Sequence, residues 1–288
     1  MAINPRPAGV GTAELVANAW VRLKAARAFV FDMDGVLYRG DTALAGVRDV
    51  LNALELRERG YMLATNNSMS TPASYVTKLA GMGLEVPEEA ILTAGIATRD
   101  YLSEHLPVGV GVFVVGMPAL REQLFAGTSF HPVQYGEEQP AAVVVGLDLQ
   151  FDYEKLKAAT AAIRGGALFV ATNADATLPT ESGLVPGAGS VVAAVAVASG
   201  REPVVIGKPE PLLLEMALHH LGVPPEEAVM IGDRLDTDIV AGYRAGMMTV
   251  LVLTGVSTRD EVPNASVLPD LVLTDMAAFL DAYIVDPS

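Results

Sequence analysis

Nine short apolar runs punctuate the chain: 28–31, 61–64, 111–115, 142–145, 168–170, 204–206, 229–231, 249–253 and 271–273. None alternates with polar residues, so each predicts a strand buried on both faces, the habit of a parallel sheet. Helical spacing fills the gaps. Val47, Val50, Leu51 and Leu54 fall at i, i+3, i+4 and i+7, and Gly60 is placed to end that helix. Leu213, Met216, Ala217 and Leu221 recur in the same way before Gly222. Strands alternating with helices predict an α/β fold with crossover connections.

Pro/Gly punctuation at Leu106-Pro107-Val108-Gly109 and at Gly200-Arg201-Glu202-Pro203 marks candidate domain joints. Residues 182–200 carry no charge, but Gly, Ala, Val and Ser with an internal Pro186 predict a buried small-residue helix rather than a membrane span. Residues 1–20 lack a basic region followed by an apolar run, so they predict no targeting signal; they read as a packed helix or a loose arm.

Composition narrows the function classes. Against 19 basic residues stand 34 acidic ones, a net charge of −15, which argues against nucleic acid or a membrane surface as partner. Without cysteine there is no disulfide, thiolate metal site or cysteine nucleophile, and a cytoplasmic location is expected.

Four of the predicted strands end in polar residues: Asp32-Met33-Asp34-Gly35, Thr65-Asn66-Asn67-Ser68, Gly207-Lys208-Pro209, and Gly232-Asp233-Arg234-Leu235-Asp236-Thr237-Asp238. Loops at the carboxyl ends of parallel strands converge on one crevice. A carboxylate there can attack phosphorus, while a hydroxyl, backbone N–H groups and a lysine hold the phosphoryl oxygens. Asp32, Asp34 and Asp233 near a phosphate dianion would repel it by about 4 kcal/mol per unit pair at ~4 Å and an effective dielectric of ~20. A bound cation relieves this, and oxygen ligands with phosphate point to Mg²⁺. The four histidines (His105, His131, His219, His220) fall outside these motifs, so no Ser-His-Asp hydrolase is predicted. Gly187-Ala188-Gly189-Ser190 lacks the third glycine and the downstream acid of a dinucleotide loop.

The four motifs, in this order, resemble those of the haloacid dehalogenase (HAD) superfamily over roughly residues 26–280. Thirty residues lie between Asp34 and Thr65, too few for an inserted domain, whereas 140 lie between Asn67 and Lys208. An insertion at that point resembles subfamily IIA, the NagD-like and 4-nitrophenyl phosphatase branch that includes eukaryotic-type phosphoglycolate and pyridoxal-phosphate phosphatases. The resemblance implies a doubly wound, Rossmann-like parallel-sheet core, 22–106 and 203–288, with an inserted α/β cap, 107–202, that selects substrate. It also implies a Mg²⁺-dependent phosphatase acting on a small phosphorylated metabolite, and a homodimer.

Roles follow the matching positions. Asp32 is the implied nucleophile and a metal ligand; Asp34 is the acid and base, its main-chain carbonyl on the metal; Asp233 is a metal ligand. Thr65, the Asn66 backbone and Lys208 hold the phosphoryl group, and Asp238 orients waters or Lys208. Asp236 reads as structural. In the cap, Asp148, Asn173, Asp175 and Leu178 follow apolar strands and are the candidates for substrate contact; Leu178 stands near where pyridoxal-phosphate members carry a histidine. A phosphotransferase or mutase using the same aspartyl-phosphate, and a receiver-like phosphoacceptor module, are the competing readings.

Overall fold

The computed structural model describes residues 12–134, 136–180 and 183–284. In chain order the elements are α1 (Thr12–Ala25), β1 (Ala28–Phe31), β2 (Tyr38–Arg39), β3 (Thr42–Ala43), α2 (Val47–Leu56), β4 (Gly60–Thr65), α3 (Pro72–Gly81) and β5 (Ile91–Thr93). There follow α4 (Ala94–His105), β6 (Gly111–Val115), α5 (Pro118–Phe125), β7 (His131–Pro132), β8 (Ala142–Val145), α6 (Tyr153–Arg164) and β9 (Leu168–Ala171). Then come β10 (Thr177–Thr180), β11 (Gly183–Pro186), α7 (Ala188–Ser199), β12 (Val204–Val205), α8 (Leu212–Leu221), β13 (Ala228–Gly232), α9 (Val240–Arg244), β14 (Met248–Val252), β15 (Leu271–Leu273) and α10 (Met276–Ile284).

The chain divides into two compact units. One takes the chain up to Ala64, Ala73–Leu92, and Lys208 onward; the other takes Thr65–Pro72 and Thr93–Gly207. These divisions differ from the sequence joints at 106/107 and 202/203: the units part at 92/93 and 207/208, and the second unit also takes Thr65–Pro72, which the sequence division left in the core.

The first unit holds a six-stranded sheet in the order β15-β14-β13-β1-β4-β5. β1 lies parallel to both β13 and β4, with Phe31 opposite Ile231 and Leu63. This register brings the polar residues that follow β1 and β13 out at the same sheet edge. Phe29, Phe31, Phe279 and Tyr283 pack on one face, Phe29 meeting the Tyr283 ring edge-on at 5.3 Å. Apolar burial of such rings is the main force holding α10 to the sheet. α1 also contributes, through buried Ala19 and Leu23; residues 1–11 of the sequence-predicted arm lie outside the described residues.

The second unit has its own five-stranded sheet, β12-β9-β8-β6-β7, with parallel pairing throughout. α6 starts where Asp152 accepts a hydrogen bond from the Lys155 N–H, a side-chain cap. Within the charge-free stretch, helix occupies Ala188–Ser199, and Val197 on it is exposed; Ser182 lies outside the described residues. No helix among the described residues is long and apolar enough to cross a membrane.

One helix end differs from expectation. α2 stops at Leu56, and it is Glu58, at φ 53°, that takes the left-handed turn; Gly60 already opens β4. The apolar spacing fails at Glu55, Arg57 and Glu58, so no further turn could bury a face. Gly222 ends α8 as expected, at φ 65°.

Candidate active site

Lys208 organises the first unit's polar centre. Its Nζ lies 2.5 Å from Asp32 Oδ1, 2.7 Å from Asp238 Oδ1, and 3.0 Å from the Ala64 carbonyl oxygen, and the side chain is 2% exposed. Asp32 follows β1, and its N–H donates to the Ile231 carbonyl at 2.9 Å, carrying the sheet ladder one residue past the strand. Asp238 sits on a single wide turn, Leu235–Ile239, where its Oδ2 accepts from the N–H groups of Asp233 and Arg234 at 3.2 and 3.1 Å. Gly232 makes room for that turn: a Cβ there would overlap the Asp238 side chain.

Asp233 is fixed from the other side. Its Oδ2 accepts from Val256 N–H at 2.7 Å and its carbonyl from Ser257 N–H at 3.0 Å. Its Oδ1 is buried and without a hydrogen-bond partner. Sequence reasoning missed the residues that do this, Thr254-Gly255-Val256-Ser257. The same signal was present, since polar residues follow the apolar run of β14, but this strand end carries no carboxylate or lysine to draw notice.

Asp32, Asp233 and Asp238 each bring one carboxylate oxygen into a cluster whose members lie within 4.8 Å of one another. Three carboxylates against one lysine leave the cluster short of positive charge. Burial drives the Asp32 carboxyl well above its ordinary range, an effect that Lys208 only partly offsets and Asp238 and Asp233 reinforce. Burial, then the Asp238 charge, pushes Asp233 up to about 7. Burial also works against the charged form of Lys208, but Asp238 and Asp32 outweigh it, so the ammonium is held more firmly than in water. The donor set is all oxygen, and one of its oxygens is buried and bare; it fits a hard divalent cation.

Asp34 is exposed, yet the surrounding protein is dense enough for desolvation to raise its carboxyl, against the pull of Lys78, the Tyr38 hydroxyl and Lys208. Tyr38 Oη donates to Asp34 Oδ2 at 3.4 Å, and Lys78 Nζ stands 4.2 Å from the centre of the Tyr38 ring. Arg234 holds exposed Asp236 through two nitrogens at 3.2 and 3.0 Å, and Asp236 is absent from the acidic cluster.

The second unit gathers other sequence candidates. Thr65 closes β4; its Oγ1 accepts from Asn67 N–H at 3.1 Å, which leaves the hydroxyl proton free to be donated. α3 begins only at Pro72, so Thr65 and Asn66 do not cap it. Asn66 Nδ2 donates to the Asp175 carboxylate at 3.1 and 3.3 Å, while Asn173 Nδ2 donates to the Asn66 carbonyl at 2.8 Å. Gly207 permits the approach, since a Cβ there would lie 2.6 Å from Asn66 Oδ1. Gly187 and Gly189 let α7 start against the carbonyls of Asp175 and Ala174. Asp148 is engaged elsewhere: Lys155 Nζ and the Gln150 N–H each donate to it at 2.8 Å. Leu178, half-buried on β10, pairs with Val185 of β11.

Comparison with known proteins places these features in a family context. Residues 29–127 match the model described as haloacid dehalogenase-like hydrolase, and residues 205–279 one described as HAD-hydrolase-like. An acid sugar phosphatase of Staphylococcus aureus is 39% identical over 254 residues, 88% of this chain and 96% of the relative. The crystal structure of a 4-nitrophenylphosphatase from Thermotoga maritima superposes with a TM-score of 0.84 at 36% identity, covering 91% of this chain and 99% of that one. A glycerol phosphate phosphatase of Mycobacterium tuberculosis, solved in complex with magnesium, gives 0.81 at 34% identity, covering 89% and 77%.

Proposed function

The chain belongs to the haloacid dehalogenase-like hydrolases, on their NagD-like 4-nitrophenyl phosphatase branch, and is a phosphatase; from that premise we propose a Mg²⁺-dependent hydrolase of small phosphomonoesters working through an aspartyl-phosphate on Asp32. The observation that carries this reading is the bare, buried Oδ1 of Asp233 in one cluster with Asp32, beside a lysine that reaches Asp32 at 2.5 Å.

A carboxylate oxygen of Asp32 bonds to phosphorus as the ester P–O bond breaks. Asp34 gives its proton to the departing alkoxide, a task suited to a carboxyl whose pKa is raised. As carboxylate it then takes a proton from the water that attacks phosphorus, restoring Asp32 and releasing inorganic phosphate. Lys208 keeps its charge throughout and offsets the negative charge that gathers on Asp32 and the phosphoryl oxygens. Asp238 is the anchor that keeps Lys208 turned toward Asp32. The Thr65 hydroxyl and the Asn66 N–H are assigned to the phosphoryl oxygens. The carboxylates of Asp32 and Asp233, with the Asp34 carbonyl, would hold Mg²⁺. When bound, the ion lowers the repulsion between these carboxylates and a phosphate dianion. The Mycobacterium relative, solved both with magnesium and with calcium, supports a divalent cation at this cluster.

Substrate selection is assigned to the inserted segment, 107–202. The core motifs recognise phosphate alone, so the leaving group must be read elsewhere. Names of the relatives, for sugar phosphate and glycerol phosphate, support a substrate among small polyol and sugar esters.

The decisive experiment is borohydride trapping during turnover of 4-nitrophenyl phosphate, with Asp32→Asn as control. Reductive label is expected at Asp32, with many turnovers per chain in the wild type and none in the variant. Labelling at another aspartate, or a single equivalent of nitrophenol per chain, would overturn the proposal.

A further inference from the structure

We propose that the loop Thr254–Ser257 is a positioning device that aims Asp233 Oδ1 at the metal, with Thr254 and Ser257 as positioning residues; this rests on the Mg²⁺ reading above. The loop follows β14, the strand beside β13, and it bonds to both acidic segments of the first unit. Toward β13, Val256 N–H occupies Asp233 Oδ2 and Ser257 N–H occupies the Asp233 carbonyl. Ser257 Oγ also accepts from Leu235 N–H at 3.0 Å, so the loop holds the chain on both sides of Arg234. Toward β1, Thr254 Oγ1 donates to the Gly35 carbonyl at 2.6 Å, next in the chain to Asp34. The loop is thus a strut between the segments that carry Asp32 and Asp34 and the one that carries Asp233.

The consequence for Asp233 is directional. A carboxylate with one oxygen engaged by a fixed N–H cannot rotate freely, so its other oxygen is aimed as well as buried. Gly35 and Gly255 make the fit possible: a Cβ on Gly255 would overlap Asp233 Oδ2, and one on Gly35 would lie 2.7 Å from it. Gly35 also has a φ of 82°, which disfavours any side chain. Val256 serves through its backbone alone, since its side chain is 60% exposed.

Groups that orient metal ligands are typically worth 10- to 100-fold in affinity. Calorimetric titration of the full-length protein with Mg²⁺, alongside thermal melts in EDTA, tests the assignment. Thr254→Val and Ser257→Ala are each expected to raise the Mg²⁺ Kd by roughly 10-fold or more. Thr254→Ser, which keeps the hydroxyl, is expected to restore it. Melting of the metal-free variants is expected to fall by only a few degrees, the cost of one lost hydrogen bond. Unchanged Mg²⁺ affinity in both variants, with wild-type binding intact, would overturn the proposal. So would an equal loss in Thr254→Val and Thr254→Ser, or a loss of affinity accompanied by a metal-free melting point lowered by more than about 10 °C, well beyond one hydrogen bond, which marks a purely structural loop. A wild type that binds no Mg²⁺ overturns the metal reading itself, and the strut with it.

Discussion

Lys208 and Asp238, 30 residues apart in sequence, meet at 2.7 Å with both side chains about 2% exposed. The pair is not a free-standing ion pair, because the same ammonium also reaches Asp32. Removing one partner of a buried pair commonly costs ~3–5 kcal/mol, since the charge left behind stays buried. Here Asp32 remains, so the loss should be smaller. Asp238→Asn is expected to lower stability by about 1–3 kcal/mol. Its effect on kcat is expected to exceed tenfold, with KM changed less, because Lys208 loses its anchor. Urea unfolding and steady-state kinetics check both; a variant with normal kcat would show that Asp238 only stabilises the fold.

Stability without metal should fall as pH rises. Asp32, Asp34 and Asp233 all bind protons more tightly in the folded state than their ordinary value of 3.8 implies, Asp233 up to about 7. Between about pH 4 and 7 the folded chain therefore holds more protons than the unfolded one. The free energy of unfolding then decreases with pH across that window. Melting curves in EDTA at pH 5 and pH 8 are expected to show the lower midpoint at pH 8. Saturating Mg²⁺ should raise the pH 8 midpoint more than the pH 5 one, since protons and cation compete for the same oxygens. A midpoint that climbs with pH in EDTA would contradict the assignment.

Two substitutions in the second unit should behave differently. Asp175 is bonded to Asn66, so Asp175→Ala is expected to slow all phosphomonoesters together, by a factor of roughly 5–150 for a lost hydrogen bond of ~1–3 kcal/mol. Leu178, on the β10–β11 hairpin, has no such tie. Leu178→His is expected to reorder a panel of sugar and polyol phosphates while moving 4-nitrophenyl phosphate less. Measuring kcat/KM across the panel separates the cases, and uniform scaling by Leu178→His would remove it from substrate selection.

Chelation offers a direct check on the metal. EDTA should silence the enzyme and Mg²⁺ restore it. Ca²⁺ should restore little, because its looser, larger shell lets a carboxylate bind through two oxygens and turns the nucleophile aside. Full rates in chelator would refute the dependence.

Much of this architecture is legible in the residues. Runs such as Ala142–Val145 and Ala28–Phe31 have no polar positions and are too short for a buried helix, so they read as interior strands, and the polar residues that follow them mark the strand ends. The β10–β11 hairpin was not legible, because Pro179 and Pro186 sit in its strands and Thr177, Thr180 and Gly183 interrupt any apolar run. Nor were the partners of the cap acids. Asp175 and Asp148 look alike in sequence, but Asn66 lies 109 residues from the one and Lys155 seven from the other. Such pairings belong to tertiary geometry, which local spacing does not encode.

The parallel pairing of β1 with β13 has a consequence for how the enzyme comes into being. Lys208 lies 176 residues after Asp32. At a synthesis rate of ~5–20 residues per second, roughly 9–35 s separate the two on the ribosome. Throughout that interval Asp32 lacks the lysine that reaches it in the folded chain. The charged groups that act on the acidity of Asp32, namely Lys208, Asp233 and Asp238, all lie in the last third of the chain. A nascent chain stalled before Lys208 therefore carries Asp32 without Lys208, Asp233 or Asp238, and the polar centre can assemble only once synthesis has passed residue 238.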